Sequence, residues 1–406
     1  MRMSVLVLWT GMPNGHRIVR SLRDAGFRVV AAHPEGHGGG RGWGHLRPLR
    51  YPPVLTDPDA FVAWVARTCD ERGIHIVLPV DEDITRVLAF RRSALGDVRV
   101  VGPTATQYDA LANKGCLAAA TAALDLPTPV TVEVDDLAAD RTGWPAVPCM
   151  VKPRTSGSEI DAPQRVGTEA ERDALVERLV ASGHGAVLQE LIEGQRWVVQ
   201  SVRGPGVFEH VVHRVDLEWP RGCGLATVKR PFRGPQAAVD AARALLDAVD
   251  YHGPSGISVI ERDGLFYAHD VNLRLGATTG ASVNAGFDFP RRAVQAALDL
   301  PGTAFDGRMR PGAVHMRLDK EVEAVLDAVS RRRPRVVLAR LRRIARVGLN
   351  PAGMLDPSPF NVFFAGHLAS RLTRRSRPHA SPQHKDTPAD ADAAPPGAPP
   401  VAPRTV

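Results

Sequence analysis

The 406-residue chain has little cysteine, few aromatic residues and no long apolar run, and each shortage closes a class of explanation. Its four cysteines, Cys69, Cys116, Cys149 and Cys223, stand far apart and form no CxxC pair. That excludes a disulfide scaffold and fits reduced thiols in a cytoplasmic protein. No stretch approaches the roughly 18 consecutive apolar residues of a membrane span. The apolar run near the N-terminus reaches only from Val5 to Trp9, too short for a signal peptide, and reads as a buried strand. Aromatic residues make up 5% of the chain and are not interleaved with the basic ones, so the net charge of +7 does not build a base-stacking surface. The excess is local. It comes from Arg374, Arg375 and Arg377 in the tail and from eight arginines, with no acid among them, between Arg331 and Arg346. Elsewhere the charges nearly balance, which argues against a nucleic-acid partner.

Lysine is scarce as well. Of 51 basic residues only Lys114, Lys152, Lys229, Lys320 and Lys385 are lysine. In a chain that uses arginine wherever either will serve, a retained lysine marks a place for a compact, three-donor ammonium.

What is present is the composition of a globular protein, 44% hydrophobic and 23% charged, and the length suggests two or three domains. Ser4 to Leu8 is β-rich and is followed by the turn Gly11–Gly15. A helix from His16 to Ala25, a strand from Phe27 to Ala32, a helix from Pro58 to Arg72 and strands at Ile74–Pro79 and Arg99–Gly102 follow. This alternation predicts a parallel sheet covered on both faces. The first turn lacks GxGxxG and the second strand does not end in an acid, which excludes a dinucleotide site. Tyr108 to Ala123 reads as one helix, broken by Leu126-Pro-Thr-Pro129. Irregular alternation from about Val130 to Leu300 suggests an α+β domain, and Pro311 to Arg371 a smaller helical region. In that region Val337, Leu341, Ile344 and Gly348 recur at helical spacing opposite the arginines. Eight prolines among the 29 residues after Arg377 predict a disordered tail.

Four segments, in order, resemble the ATP-grasp superfamily of carboxylate–amine ligases: NKGCLAAATAALDLPTP from Asn113, CMVKPRTSGSE from Cys149, VLQELIEGQRWVV from Val187 and GPSGISVIERDGLFYAHDVNLRLGATTG from Gly253. The resemblance covers about residues 1 to 300. It implies a pre-ATP-grasp α/β domain with a parallel sheet (1–105), an α+β ATP-grasp domain (106–305), a small helical C-terminal extension (306–372) and the tail (373–406).

Each motif also has a physical task. Lys152 ends an apolar strand, where its ammonium can reach nucleotide phosphates, and Lys114 would supply a second cation. Ser156, Gly157 and Ser158 form a small, hydroxyl-rich turn whose backbone N–H groups can close over phosphate oxygens. Relatives usually continue with a basic residue and glycine, where this chain has Glu159 and Ile160. The resemblance implies that Glu190 accepts the adenine amino proton and that Leu191 and Ile192 read the adenine edge through their backbone. Arg196 stands where many relatives carry a carboxylate for the ribose, and a guanidinium cannot accept those hydrogen bonds.

Alternation along Phe266–Asn272 projects Asp270 and Asn272 to one side. Two oxygen donors on one face suit Mg²⁺, with Mn²⁺ able to stand in for it. Arg274 continues that face toward the transferred phosphate. Asp270 replaces the family's longer Glu, and Ser258 occupies the position often held by an acid, leaving Glu261 as a substitute donor. Lys229 stands within reach of the γ-phosphate. Asp81-Glu-Asp83 ends a parallel strand, where such acids either hold an amine substrate or cap the next helix in solvent. No nucleophile elbow supports hydrolase chemistry.

Together these features imply an ATP-dependent, ADP-forming ligase for a small-molecule carboxylate and an amine, amino acids among the candidates, with ATP and Mg²⁺ as cofactors. No nucleic-acid partner or membrane span is expected, and a homodimer is compatible with the family. A nucleotide-binding regulator with a degenerate site and a small-molecule kinase are the alternatives.

Overall fold

Every residue of the strand Ser4–Leu8 (β1) is buried, and its side chains divide between two cores. Val5 and Val7 pack with Ile18, Val19 and Leu22, whereas Leu6 and Leu8 pack with Phe61, Val65 and Leu88. A strand apolar on both faces must be covered on both, which only a helix-flanked parallel sheet provides. The computed structural model describes residues 3–8, 15–35, 48–136, 141–157, 163–220, 222, 224–298, 300 and 309–356. All of them fall within one compact unit, Met1–Phe364.

After β1 come α1 (Gly15–Asp24), β2 (Arg28–Pro34), β3 (Leu49–Tyr51), α2 (Pro58–Arg72), β4 (Ile76–Pro79), α3 (Glu82–Phe90) and β5 (Arg99–Val100). The five strands form a parallel sheet in the order β3-β2-β1-β4-β5, as expected. Helix α2 has the expected bounds. The Asp57 side chain caps its first turn, and Gly73 ends it at φ +57°, a left-handed turn that glycine adopts without strain.

The single helix expected from Tyr108 to Ala123 is two helices, α4 (Ala105–Ala112) and α5 (Lys114–Ala123). Asn113 lies between them in an extended conformation, and its side chain accepts from the Gly115 and Cys116 N–H groups. A side chain that competes for backbone donors breaks a helix and starts the next one. This places Lys114 in a first turn rather than in mid-helix.

The chain continues through β6 (Thr131–Val134), β7 (Cys149–Pro153), β8 (Gln164–Val166), α6 (Glu169–Ala181) and β9 (Ala186–Glu190). The four strands form an antiparallel sheet in the order β6-β9-β7-β8. Then follow β10 (Gln195–Gly204), β11 (Val207–Trp219), β12 (Leu225–Phe232), α7 (Gln236–Ala248), β13 (Gly253–Arg262), β14 (Leu265–Asn272), α8 (Thr279–Asn284), α9 (Phe289–Ala297), β15 (Val314–Arg317), α10 (Leu318–Ser330), α11 (Pro334–Leu349) and β16 (Gly353–Asp356). These strands build a seven-stranded sheet ordered β14-β13-β10-β11-β12-β15-β16.

The C-terminal region therefore departs from the expected helical extension. β15 pairs with β12 and β16 with β15, so the region extends the large sheet as well as adding two helices. On α11 the apolar stripe is also placed differently. Val347 is buried and Ile344 packs beside it, but Leu341 is 49% exposed. Arg340, from the face expected in solvent, bonds the fully buried Glu321 at 2.9 Å. The expected tail, 373–406, lies outside the described residues. Among those described, no helix is long and apolar enough to cross a membrane.

Candidate functional site

The site lies between the four-stranded and the seven-stranded sheet, and β14 organises it. Asp270, Asn272 and Arg274 alternate with Val271, Leu273 and Leu275, which are buried in the hydrophobic cores. Alternation thus anchors one set of side chains and presents the other. The register pairs Ser258 with Asp270 and Gly256 with Asn272, so Ser258 is the cross-strand neighbour of Asp270 as expected. Glu261 does not substitute for it. Its carboxylate accepts from the Trp197 indole at 2.9 Å, and Trp197 lies in the core on the other side of the sheet.

A continuous chain of hydrogen bonds runs out from Asp270. Asn272 Nδ2 donates to Asp270 Oδ2 at 2.8 Å, and Arg274 Nη2 donates to Asn272 Oδ1 at 2.9 Å. Arg274 Nε then donates to Glu82 Oε2 at 2.6 Å, and Tyr108 Oη donates to Glu82 Oε1 at 2.9 Å. Gly276 leaves room for the guanidinium, since a Cβ there would come within 2.8 Å of Arg274 Nη1. Burial weakens the Arg274 charge, but Glu82 and Asp81 outweigh it and hold the guanidinium protonated.

Two of the three acids of Asp81-Glu-Asp83 are therefore not solvated. Asp81 caps α3 as expected, accepting from the Asp83 and Ile84 N–H groups. Glu82 and Asp83 are buried, with Glu82 committed to Arg274 and Tyr108. Burial of Asp81 pushes its carboxyl above the usual range, with Arg274 opposing the shift.

The two lysines converge on the same place. Lys114 Nζ donates to Ser156 Oγ at 3.1 Å and stands 3.9 Å from Asp270 Oδ1. Lys152 is 5% exposed and donates to Gln189 Oε1 at 2.6 Å and to the His269 carbonyl at 3.4 Å. Burial, reinforced by Lys114 and Arg196 and only partly offset by Asp270, pulls its ammonium down to about 7. His269 is held neutral by burial and by the same cations. Gly157 follows Ser156 in the described chain, whereas Ser158 lies outside the described residues.

Lys229 is buried on β12 and donates to Thr278 Oγ1 at 2.7 Å, just after the Arg274 turn. His213 beside it is kept neutral by burial, Lys229 and His315. Glu190 ends β9, with Leu191 and Ile192 following, but its carboxylate accepts from the Val130 N–H at 3.3 Å and from Arg262 at 3.2 Å. Arg196 pairs with Glu218 and donates to the Gly224 carbonyl at 3.0 Å.

The structure thus brings Lys114, Lys152, Ser156, Ser258, Asp270, Asn272 and Arg274 together. Lys229 joins them through Thr278, and Glu190 lies at the end of β9 in a separate ion pair. Sequence reasoning missed Gln189, Glu82, Tyr108 and Arg262 as partners. Gln189 lay inside a motif already singled out, and Glu82 in an acidic triplet at a strand end. Nothing local marks Tyr108 or Arg262. Among the described residues no group of three or more His, Cys, Asp or Glu could hold a metal. The donors present, one carboxylate, one amide oxygen and one hydroxyl, fit a hard cation that takes its remaining oxygens from a phosphate ligand.

Glu82 and Arg274 expose only 8% and 14% of their side chains. Glu82→Gln removes the charge and strands a buried guanidinium, which should cost about 3 kcal/mol or more. Tyr108→Phe removes one hydrogen bond and should cost about 1 kcal/mol. Urea denaturation should rank the two variants in that order. Equal losses would show that the ion pair does not hold the elements together.

No protein-family model matches the sequence, and no curated protein matches it. Solved structures do match. The L-amino acid ligase from Bacillus licheniformis superposes with a TM-score of 0.62 at 19% identity, over 77% of this chain and 78% of that one. Carboxyaminoimidazole ribonucleotide synthase from Aspergillus clavatus, complexed with ATP, gives 0.64 at 16% identity over 80% and 86%. Biotin carboxylase from Campylobacter jejuni gives 0.61 at 12% over 77% and 74%. With a four-stranded antiparallel sheet and a seven-stranded mixed sheet facing across a lysine-lined cleft, and a parallel α/β unit before them in the chain, the protein has the ATP-grasp fold of these enzymes.

Proposed function

We propose that the chain is an ATP-dependent ligase that joins a small carboxylate to an amine through an acyl phosphate and releases ADP and phosphate. The observation that carries this reading is the convergence of Lys114, Lys152 and Arg274 on Asp270 and Asn272, with no activated nucleophile among them. The neighbouring structures add support, one holding ATP and another, a 2-oxoglutarate carboxylase domain, MgADP.

A carboxylate oxygen of the substrate attacks the γ-phosphorus, and the bond to the bridging oxygen breaks as ADP leaves. The amine nitrogen then attacks the acyl carbon, phosphate departs with the C–O electron pair, and the nitrogen loses its proton to solvent. Positioning and charge suffice for such chemistry. Lys152 and Lys114 hold phosphate oxygens, with Ser156 and Gly157 closing over them. Arg274, fixed by Glu82, faces the transferred phosphoryl group, and Lys229 steadies the turn beyond it through Thr278. Leu191 and Ile192 read the adenine edge, and Glu190 accepts from the adenine once it leaves Arg262. A divalent cation, Mg²⁺ or Mn²⁺, would be held by Asp270 and Asn272 with Ser258 as a weak third donor, and would neutralise phosphate charge. Amino acids are the candidate carboxylates and amines.

A second reading is a nucleotide-binding regulator, favoured by the single carboxylate of the Ser258–Asp270 pair. A kinase uses the same residues and stops at phosphorylation. Incubation with ATP, pooled amino acids and small carboxylates, with hydroxylamine as a trap, separates the three. ADP with a hydroxamate is the expected result. ADP with a stable phosphorylated product identifies a kinase, and binding without turnover a regulator. AMP and pyrophosphate would overturn the scheme.

Asp270→Asn keeps the shape but loses the anion, and should abolish ADP release while ATP still binds. Ser258→Glu restores a second carboxylate and should lower the Mg²⁺ concentration for half activity. An active Asp270→Asn enzyme with unchanged Mg²⁺ dependence would place the cation elsewhere.

Lys152 sets a pH dependence. With its ammonium lowered to about 7, the free protein holds Lys152 neutral at higher pH, while bound phosphates restore the charge. Nucleotide binding above pH 7 therefore takes up a proton, and affinity should fall by up to about tenfold per unit between pH 7 and 9. The free protein should gain stability over the same window, because its folded state binds fewer protons than the unfolded chain. Calorimetry in buffers of different ionisation enthalpy measures the uptake, and Lys152→Met should lose both the uptake and the slope.

A further inference from the structure

A cavity of about 600 Å³ opens beside Arg214 and Arg230, two residues on the face of the large sheet away from Asp270. The register fixes that side. Asp270 pairs with Ser258 and Ser258 with Val198, whereas Arg214 pairs with Trp197, the next residue along β10, and alternate residues face opposite ways. Arg214 also pairs directly with Arg230 on β12. On the same face Val212 belongs to the core beneath α7, and Val228 to the core beneath α11. The two arginines thus occupy the strip of sheet that neither helix covers.

The charge there is unbalanced. Arg214 and Arg230 are cross-strand neighbours of like charge, an arrangement that costs stability unless it is compensated. The Asp216 carboxylate bridges them, each Nε 2.9 Å from one of its oxygens. Arg233 and Arg310 line the same cavity, and Arg346 lines a smaller one that shares Arg230 with it. No acid lines either cavity among the described residues. Arg310 spends one donor on the Pro351 carbonyl, and Arg233 and Arg346 make no ion pair or hydrogen bond to other described residues. Five guanidinium groups therefore share one carboxylate. Phe232, tilted against Trp197 with ring centroids 5.4 Å apart and overlain by Arg214, provides an apolar wall.

We infer that this cleft binds a small polyanion, a molecule with phosphate groups or several carboxylates, at a site separate from the nucleotide cleft. Planar guanidinium forks match both groups by paired hydrogen bonds, and a concave cluster concentrates the field that attracts them. The volume of this open cleft suits a small molecule, and the inference does not depend on the ligase reading.

Titration calorimetry of the full chain with inorganic pyrophosphate and with citrate, in Mg²⁺-free buffer of moderate ionic strength, tests it. Pyrophosphate can also enter the nucleotide cleft, so Lys152→Ala is the control. The double variant Arg233→Ala/Arg346→Ala removes two exposed side chains without described partners and should leave the fold intact, which the melting temperature verifies. Binding that persists in Lys152→Ala and weakens tenfold or more in the double variant supports the site, and the tighter probe identifies phosphate or carboxylate as the group recognised. Binding lost in Lys152→Ala and unchanged in the double variant would overturn it. So would the absence of heat from both probes at millimolar concentration.

Discussion

The ion pair between Arg274 and Glu82 joins parts of the chain 192 residues apart, and the geometry of the cleft depends on it. Glu82 belongs to the parallel α/β unit, Arg274 to the turn that follows β14, and Tyr108 to α4. Because the pair is buried, neither charge has water as an alternative partner, so the guanidinium is held in one orientation. From there the order passes through Asn272 to Asp270, each side chain fixed by the next. The N-terminal unit therefore orients a side chain at the end of a sheet it does not belong to.

The same cleft carries an excess of positive charge that the protein by itself does not neutralise. Burial first, and then Lys114 and Arg196, lower the affinity of Lys152 and His269 for protons, and Asp270 offsets only part of the effect on Lys152. A cluster of cations held close in a low-dielectric space is costly without a polyanion and favourable with one. On the proposed function, affinity for phosphates would follow from destabilisation of the free site. Lys152 relieves part of that strain by moving toward its neutral form, with Gln189 accepting the remaining donor.

Much of the fold was legible. β1 is marked by an apolar run and α2 by the glycine after it, both local effects. The break at Asn113 was not, because helix propensity on both sides hides a side chain that captures backbone donors. The C-terminal strands were missed for a different reason. Val314–Arg317 and Gly353–Asp356 are four residues each, too short to show a period, and they are stabilised by pairing with β12 and with each other.

For the site, the sequence by itself determined which groups can do chemistry. Lys152 at the end of an apolar strand, Asp270 and Asn272 two residues apart, and Ser258 opposite them follow from period-two alternation and hairpin register. Tertiary structure alone decided how those groups are partnered and charged. That Glu82 is buried against Arg274 rather than solvated, that Glu261 serves Trp197 and faces away from the cleft, and that Arg196 is matched by Glu218 all depend on which elements pack together. Local spacing sets the direction of a side chain along its own strand. The dielectric around it and the identity of its partner come from residues tens to hundreds of positions away, and those enter only when the sheets close on one another.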